Sequence, residues 1–218
     1  MSSRLLTLLL LILGSFSAPS FGFELQPLTS RNLSPAILSF GLPSLGAARV
    51  LRPGSGQLQL ALDMVSNSTE RTTLDEALFF DGESYRVALS GDYAIGPELE
   101  LGIELPFLSH QGGFLDSFIE GWHDAFGLPQ GTRKQTPRDQ LSYSYTRQKG
   151  QGFNLQSEQT GFGDISLRGA WQYWRNTAKM RALALRASLK LPTGSASKLT
   201  GSGSTDLAIW LSGEQRLH

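Results

Sequence analysis

The residues whose chemistry is easiest to place are charged side chains that recur at every second position of apolar segments. Residues two apart share one face of an extended strand, so Glu98, Glu100 and Glu104 should lie together. Inside a closed sheet such groups either pair with opposite charges and fill the interior, or form a charged constriction that selects solutes. We expect pairing and filling. The candidate lumen-lining residues are Glu98, Glu100, Glu104, Arg168, Arg186 and Lys190.

Three patterns that could indicate catalysis or ligand binding are explained better by ordinary structure. Ser109-His110 is similar to the nucleophile and base of outer-membrane lipid hydrolases, but neighbours on a strand point to opposite faces. His110, His123 and His218 lack the spacing of zinc ligands. The Gly/Ser run at 201–204 lacks the lysine and the following helix of a phosphate-binding loop. The sequence therefore predicts no enzyme, and no catalytic residue, metal ligand or cofactor.

The acidic residues belong to a strand predicted over 98–105 and stopped by Pro106. Its aliphatic side either covers a soluble core or faces lipid, with the acidic side towards a watery lumen. Several segments have this alternation over about ten residues, the length of outer-membrane strands, whereas soluble strands average about five or six. Strands are predicted over 57–65, 74–80, 84–94, 98–105, 140–147, 162–174, 181–191 and 206–215, with a short one at 36–40.

These strands predict an all-β fold, an antiparallel up-and-down meander barrel of the outer-membrane type. A tight hairpin turn is expected at Asp81-Gly82, and a polar turn is expected to begin at Asn67. A secreted soluble sandwich or a lipid-binding barrel is the alternative. Aromatic residues near the strand ends would form the interfacial girdles; the candidates are Tyr93, Phe107, Tyr143, Tyr145, Trp171, Tyr173, Trp174 and Trp210.

One amphipathic helix is predicted over 114–126, inside the β pattern. Apolar residues there recur at helical spacing, glycines precede the segment, and Gly127 and Pro129 end it. The opposite side is acidic, which disfavours docking on anionic lipid. We expect a loop helix packed against the barrel, with a plug inside the barrel as the alternative.

The N-terminus has the pattern of a secretion signal. Arg4 precedes an apolar stretch from Leu5 to Leu13, which is shorter than the roughly 20 residues that span a bilayer. We predict a signal peptide over 1–22 and a single β-barrel domain over 23–218, with an N-terminal membrane anchor as the alternative. The 218 residues include no cysteine, so an exported domain must be held by burial or by lipid.

The charge balance narrows the class of partner. The chain has 19 basic and 19 acidic residues, and Arg4 is the only charge in the predicted leader, which leaves 18 basic residues after it. A nucleic-acid binder would carry a basic excess. The expected partners are outer-membrane lipid and the barrel-assembly machinery, and the sequence indicates no oligomeric state.

Several phrases of the sequence resemble a known family. The most specific surround the predicted helix, at 105–107, 112–116, 118–123 and 126–129, and weaker ones lie at 161–164, 190–194 and 199–206. They resemble a family of uncharacterised proteobacterial proteins, catalogued as a domain of unknown function and regarded as outer-membrane β-barrels. The weaker phrases are also similar to barrels tied to uptake of hydrophobic compounds. The resemblance covers roughly residues 27–215 and implies location and fold, but no activity.

Two functions are compatible with these observations. The first is a porin-like protein of a Gram-negative outer membrane that passes or binds small molecules, hydrophobic ones among them. The second is a structural or interaction barrel with a filled lumen. Because residues 214–218 lack the terminal aromatic of a last barrel strand, we expect a chain truncated at its C-terminus.

Overall fold

The computed structural model describes residues 31–43, 46–131, 133–149, 152–176 and 180–215, and the leader predicted over 1–22 lies outside them. Its main element is one nine-stranded antiparallel sheet. The strands are β1 (Gly56–Thr72), β2 (Glu76–Ala94), β3 (Leu99–Gln111), β4 (Ser142–Arg147), β5 (Phe153–Leu155), β6 (Gln159–Phe162), β7 (Ser166–Asn176), β8 (Arg181–Lys190) and β9 (Asp206–Gln215). The α-helices are α1 (Pro35–Leu38) and α2 (Asp116–Phe126), and single 3-10 turns occupy Arg133–Gln135 and Ala196–Lys198.

The strands form six lines that run up and down in chain order. β1 pairs with β2, and β2 pairs on its other side with β4 at one end and with β3 over the rest of its length. β5 pairs with β4, while β6 and β7 pair with β3, so these three strands share the next line. β8 and β9 complete the sheet. The chain is therefore mostly antiparallel β, as predicted, with strands in meander order.

The sheet is not closed into a barrel. Within the described residues β1 pairs with β2 alone and β9 with β8 alone. Six lines are also fewer than the about eight strands of the smallest outer-membrane barrels. The prediction of a barrel therefore goes further than the architecture that these strands form.

β2 is continuous where the sequence predicted a hairpin, so the turn at Asp81-Gly82 is wrong. The β1–β2 turn lies instead at 73–75, where the Thr73 amide donates to the Glu76 carbonyl at 2.8 Å. Gly82 marks the point at which β2 changes partner from β4 to β3, and its φ is +139°. A Cβ there would lie 2.9 Å from Leu141 Cδ1, so glycine serves a close approach and not a reversal. The polar turn predicted at Asn67 is also wrong, because Asn67 lies inside β1.

β3 continues through Pro106 to Gln111, so the predicted end at Leu105 is wrong. The Pro106 carbonyl accepts the Gly163 amide at 2.8 Å, on the side where the line of β6 and β7 is interrupted. Proline is tolerated where the ladder is irregular, because its missing N–H removes no regular bond there. The same interruption divides the single strand predicted over 162–174 into β6 and β7.

The segment Pro35–Leu38 forms the short helix α1 and not the strand predicted at 36–40. The Ser34 carbonyl accepts the Ile37 and Leu38 amides, each at 2.8 Å. Pro35 stands in the first turn, where its fixed φ favours a helix and its missing N–H costs no bond.

In a soluble protein the apolar face of a sheet is buried and the polar face is exposed. In this sheet the apolar side chains are exposed and charged side chains are buried. One row across all six lines reads Leu58, Gly91, Ile103, Leu167, Leu189 and Leu207. Its neighbouring row, on the other side of the sheet, reads Gln59, Ser90, Glu104, Ser166, Lys190 and Asp206. The first belongs to what we term the apolar face, whose large side chains are exposed, Leu58 to 75%. The second belongs to the charged face, where Glu104 and Lys190 are buried.

The aromatic residues divide between these faces. Tyr93, Phe107, Trp171, Tyr173 and Trp174 are exposed, as a girdle requires. The other three predicted girdle residues do not lie there. Tyr143 is fully buried, Tyr145 packs against Phe153, and Trp210 pairs in register with Arg186 of the charged face.

Candidate functional site: the charged face

Five of the six predicted lumen-lining residues lie on the charged face, namely Glu100, Glu104, Arg168, Arg186 and Lys190. Glu98 does not join them. It lies in the turn before β3 and is exposed, and its carbonyl accepts the Gln172 amide at 2.8 Å. The alternation that grouped Glu98 with Glu100 holds only within the strand, which begins one residue later.

Glu104 is the centre of the largest ionic group on this face. Its Oε1 lies 2.6 Å from Arg86 Nη2 and 3.0 Å from Arg31 Nη2, and its Oε2 lies 3.7 Å from Arg168 Nη1. Arg86 also reaches Asp63 at 2.8 Å. Arg31 and Arg86 share the Glu104 carboxylate, and Asp63 supplies the second negative charge that balances them.

The predicted pairing of acidic β3 with basic β7 and β8 is present, although its contacts are long. Arg168 Nη1 lies 3.7 Å from Glu104, and Arg186 Nη2 lies 3.7 Å from Glu100. The shorter partner of Arg168 is Asp92 on β2, at 2.9 Å. Strand alternation could place Asp92 on the charged face, but its distance from β7 along the chain concealed this contact.

Lys190 forms a second, more enclosed ionic group. Its Nζ lies 2.9 Å from both Asp164 Oδ2 and Asp206 Oδ2, and its side chain is 4% exposed. Asp164 also accepts the backbone amides of Gly194 and Ser202, at 2.8 and 2.9 Å. One carboxylate therefore joins the loop before β7 to the loop before β9. This contact explains why an aspartate follows the glycines at 161–163.

Residues 31–43 and 46–51 cover the charged face, an arrangement that sequence reasoning missed. The Lys190 ammonium donates to the Ser39 carbonyl at 2.7 Å, and the Arg186 Nε donates to the Ala47 carbonyl at 2.9 Å. Conversely, the amide of Leu51 donates to Glu100 Oε2 at 3.0 Å. We term residues 31–43 and 46–51 the N-terminal cover. Its lack of any period gave no signal, since most of its contacts use backbone groups, the ion pair of Arg31 with Glu104 being an exception.

Two further contacts extend this cover along the sheet. The Gly41 amide donates to Asp206 Oδ2 at 2.8 Å, and the Val50 amide donates to Gln172 Oε1 at 3.1 Å. A cleft between cover and sheet, lined by Arg31, Arg86, Lys190 and Thr200 among others, offers about 40 Å³. That space admits ordered water but no organic ligand.

A buried Ser–His contact lies at one end of the face, although not between the residues that the sequence placed side by side. His110 Nε2–H donates to the Leu199 carbonyl at 3.0 Å, so Nδ1 of the neutral ring accepts the Ser84 hydroxyl at 2.8 Å. Ser84 in turn accepts from the Tyr143 hydroxyl at 3.1 Å, and Tyr143 accepts from Asn67 at 3.0 Å. Each side chain in this series has a hydrogen-bond partner, and the series joins four strands to the 196–200 loop.

Beside this series a small apolar core closes the same end of the charged face. Phe80, Leu141, Tyr143 and Leu155 are buried together, with Leu199 packed against them. Among the described residues no group of three or more acidic or histidine side chains could hold a metal ion. No helix in that part of the chain is long and apolar enough to cross a membrane.

Comparison with known proteins identifies the family and nothing more specific. No curated protein matches the chain, and no solved structure does. A family model matches residues 5–218, nearly the whole chain. The chain therefore belongs to the DUF3187 family of proteins of unknown function.

Proposed function

We propose that this protein is an outer-membrane β-barrel protein whose interior is filled, with a structural or interaction role and no open pore. The observation that carries the proposal is the inverted sheet, which exposes apolar side chains and buries charged ones. Leu58, Leu62 and Leu211 are each more than 70% exposed. Burying one such side chain contributes about 1.5–3 kcal/mol, so leaving rows of them in water is unfavourable. A lipid environment removes that cost.

The strand lengths fit this location. β1, β2 and β3 have 17, 19 and 13 residues. About 9–11 residues of a tilted strand cross the hydrocarbon layer, so these strands reach beyond it. Lipid does not tolerate an open sheet edge, and the proposal therefore requires that further strands pair with β1 and β9. Export by the leader over 1–22 and insertion by the barrel-assembly machinery are parts of the same proposal.

A filled interior is favoured over an open one because every predicted lumen residue on the charged face already has a partner. Glu104 and Lys190 have oppositely charged neighbours within 3.0 Å, and Arg186 donates to the N-terminal cover. A conducting pore would need unpaired charges around a water-filled constriction.

Reconstitution of the full-length protein into lipid vesicles tests the proposal. A protein that resists alkaline extraction, floats with the vesicles and admits no small sugar in a swelling assay is expected. Sugar entry comparable to that of a general porin would contradict the filled interior. A protein that stays in the aqueous fraction after correct refolding would contradict the membrane location.

Passage of small molecules is the second candidate, because of the way the N-terminal cover is held. Phe40 and Leu42 are 52% and 56% exposed, and the cover is attached mainly through hydrogen bonds and an ion pair, with Pro35, Leu38 and Ala48 as its buried apolar residues. Its departure would break these small apolar contacts but would expose few large apolar side chains. Displacement would open the charged face to solutes.

The substitutions Gly41→Cys and Asp206→Cys, joined by a disulfide, distinguish a fixed cover from a movable one. A Cβ on Gly41 would lie 2.9 Å from Asp206 Cβ, near the separation that a disulfide spans after a small shift. The chain has no other cysteine. Planar-bilayer current should be absent with the pair oxidised and also when it is reduced if the cover is permanent. Current that appears only on reduction would favour gated passage.

A further inference from the structure

The helix α2 lies with its faces reversed relative to a helix that packs on a soluble core. Its buried residues are Asp116 and Glu120, whereas Phe118, Trp122 and Phe126 are 52–65% exposed. The sequence predicted the helix, and the structure confirms it over Asp116–Phe126. The expected packing against the protein is made by the acidic side and not by the apolar stripe, which the described residues leave uncovered.

The insertion that carries α2, described over residues 112–131 and 133–139, is attached to the apolar face just beyond the end of its apolar rows. Glu83 and Ser66 form the row that follows Met64 and Tyr85 on that face. Glu83 accepts the Phe114 and Leu115 amides at 2.9 and 2.6 Å. Rows on one face are about 7 Å apart along a strand. The helix therefore begins within about two rows of the apolar surface, on the same side of the sheet.

The contact at Ser66 fixes the other side of the insertion. Arg133 Nη1 donates to Ser66 Oγ at 3.0 Å and to Asp116 Oδ1 at 2.8 Å. Asp116 also accepts the Asp139 amide at 2.9 Å. The acidic side of α2 is thus turned to the rest of its own insertion, through which Arg133 reaches the sheet, and the aromatic side lies outside these contacts.

The acidic side is also neutralised within the insertion. Glu120 pairs with Arg138 at 2.5 Å, and Asp124 pairs with Lys134 at 2.9 Å. These hydrogen bonds lower the pKa of both carboxyls below their ordinary values, so both stay ionised and paired at neutral pH. The objection that an acidic helix avoids anionic lipid therefore does not apply, and no basic side chain remains there to attract such lipid.

We propose that α2 lies in the interfacial layer of the membrane, with Phe118, Trp122 and Phe126 in contact with lipid beside the apolar face of the sheet. The inference rests on the proposed membrane location. Tryptophan and phenylalanine favour the boundary between headgroups and acyl chains, where an amphipathic helix sits about 5–10 Å deep. Because the insertion has no unpaired basic side chains to attract anionic lipid, binding should not depend on the anionic lipid fraction.

Single cysteines carrying an environment-sensitive fluorophore test the position of the helix in the full-length protein. The probe sites are Phe118→Cys on the aromatic side, Ser117→Cys as its exposed neighbour, and Leu60→Cys on the apolar face of β1. Each is placed in phosphatidylethanolamine–phosphatidylglycerol vesicles with aqueous iodide or with lipid carrying a shallow nitroxide. We expect lipid quenching at 118 and 60 and several-fold stronger iodide quenching at 117, unchanged as phosphatidylglycerol is varied.

Other outcomes separate the possible failures. Lipid quenching at 60 with iodide quenching at 118 would overturn this inference and leave the membrane location intact. Iodide quenching at both sites would overturn both. A label at 118 that neither quencher reaches would place a protein surface, such as a second copy, on the helix and would also overturn the inference. Phe126→Cys repeats the measurement on the same side if the first variant folds poorly.

Discussion

Two segments cover the sheet, and they do so in opposite ways. The N-terminal cover lies on the charged face and offers mainly backbone groups, which strand side chains such as Lys190 and Arg186 bind. The insertion that carries α2 lies on the apolar face and supplies its own charged side chains, as in Asp116 with Arg133. The first segment is thus held by the strands, whereas the second is folded on itself and fixed at Glu83.

This difference shows which contacts stabilise the structure on each face of the sheet. The charged face depends on a few buried ions, whose loss leaves an opposite charge without compensation. The insertion depends on local backbone geometry at its start, because Gly113 has φ +84° directly before the Glu83-bound amides. Changes on the two sides should therefore differ in size and in what they loosen.

The largest effect on stability is expected from Lys190→Met. The substitution leaves Asp164 and Asp206 without the ammonium that lies 2.9 Å from each. Breaking a buried pair costs about 3–5 kcal/mol, so the urea midpoint of the detergent-folded protein should fall. Protease cleavage within 31–51 should also become faster, because the bond to the Ser39 carbonyl is lost.

Lys198→Met is the matched control, because Lys198 is exposed. Its midpoint and its cleavage rate should equal those of the unchanged protein. Equal midpoints for the two variants would show that Lys190 does not hold the charged face together.

A smaller effect, confined to the insertion, is expected from Gly113→Ala. A Cβ there would overlap the carboxyl group of Glu83, and the positive φ is unfavourable for alanine. Strain of this kind costs about 1–3 kcal/mol. Hydrogen exchange of the α2 amides should accelerate while that of β7 and β8 is unchanged.

Gly121→Ala should change the hydrogen exchange of the same helix in the opposite direction. A Cβ at Gly121 meets nothing within 4 Å, and alanine in a helix interior is favoured over glycine by about 0.5–1 kcal/mol. Slower exchange in α2 is therefore expected. Acceleration by both substitutions would mean that α2 depends on contacts other than those at Glu83.

The smallest effect, on the hydrogen exchange of α2, is expected from lowering the pH. The lowered pKa values of Glu120 and Asp124 mean that their pairs stabilise the insertion above the ordinary values of 4.5 and 3.8. This contribution is lost as the pH falls through the lower pKa values of the folded protein. Exchange in α2, corrected for its intrinsic pH dependence, should rise below pH 4. In the double variant Lys134→Gln, Arg138→Gln this rise should be reduced, and an undiminished rise would assign it to other groups.

Local periodicity predicted the elements but not their partners. The strands over 181–191 and 206–215 and the helix over 114–126 follow from spacing alone, because each pattern spans several periods. Asp81-Gly82 misled because a glycine that permits close approach and one that reverses the chain look alike in sequence.

The sequence predicted which residues form the candidate site, but not which groups they contact. Alternation placed Glu100, Glu104, Arg168, Arg186 and Lys190 on one face, but no local signal indicates Asp92, Asp164 or the N-terminal cover as their partners. Backbone groups of an aperiodic segment carry no side-chain pattern to read. The buried acidic side of α2 was missed for a related reason, since amphipathicity identifies two faces without stating which one meets the protein.

Spin-label accessibility along β1 tests the membrane location of the apolar face. Single cysteines at 58–62 place labels alternately on the apolar face, at Leu58, Leu60 and Leu62, and on the charged face, at Gln59 and Ala61. In vesicles of the full-length protein we expect high oxygen and low nickel-chelate collision rates at the three leucine positions, and lower oxygen rates at the other two. High nickel-chelate collision rates at all three leucine positions would place the apolar face in water and would contradict the proposed function.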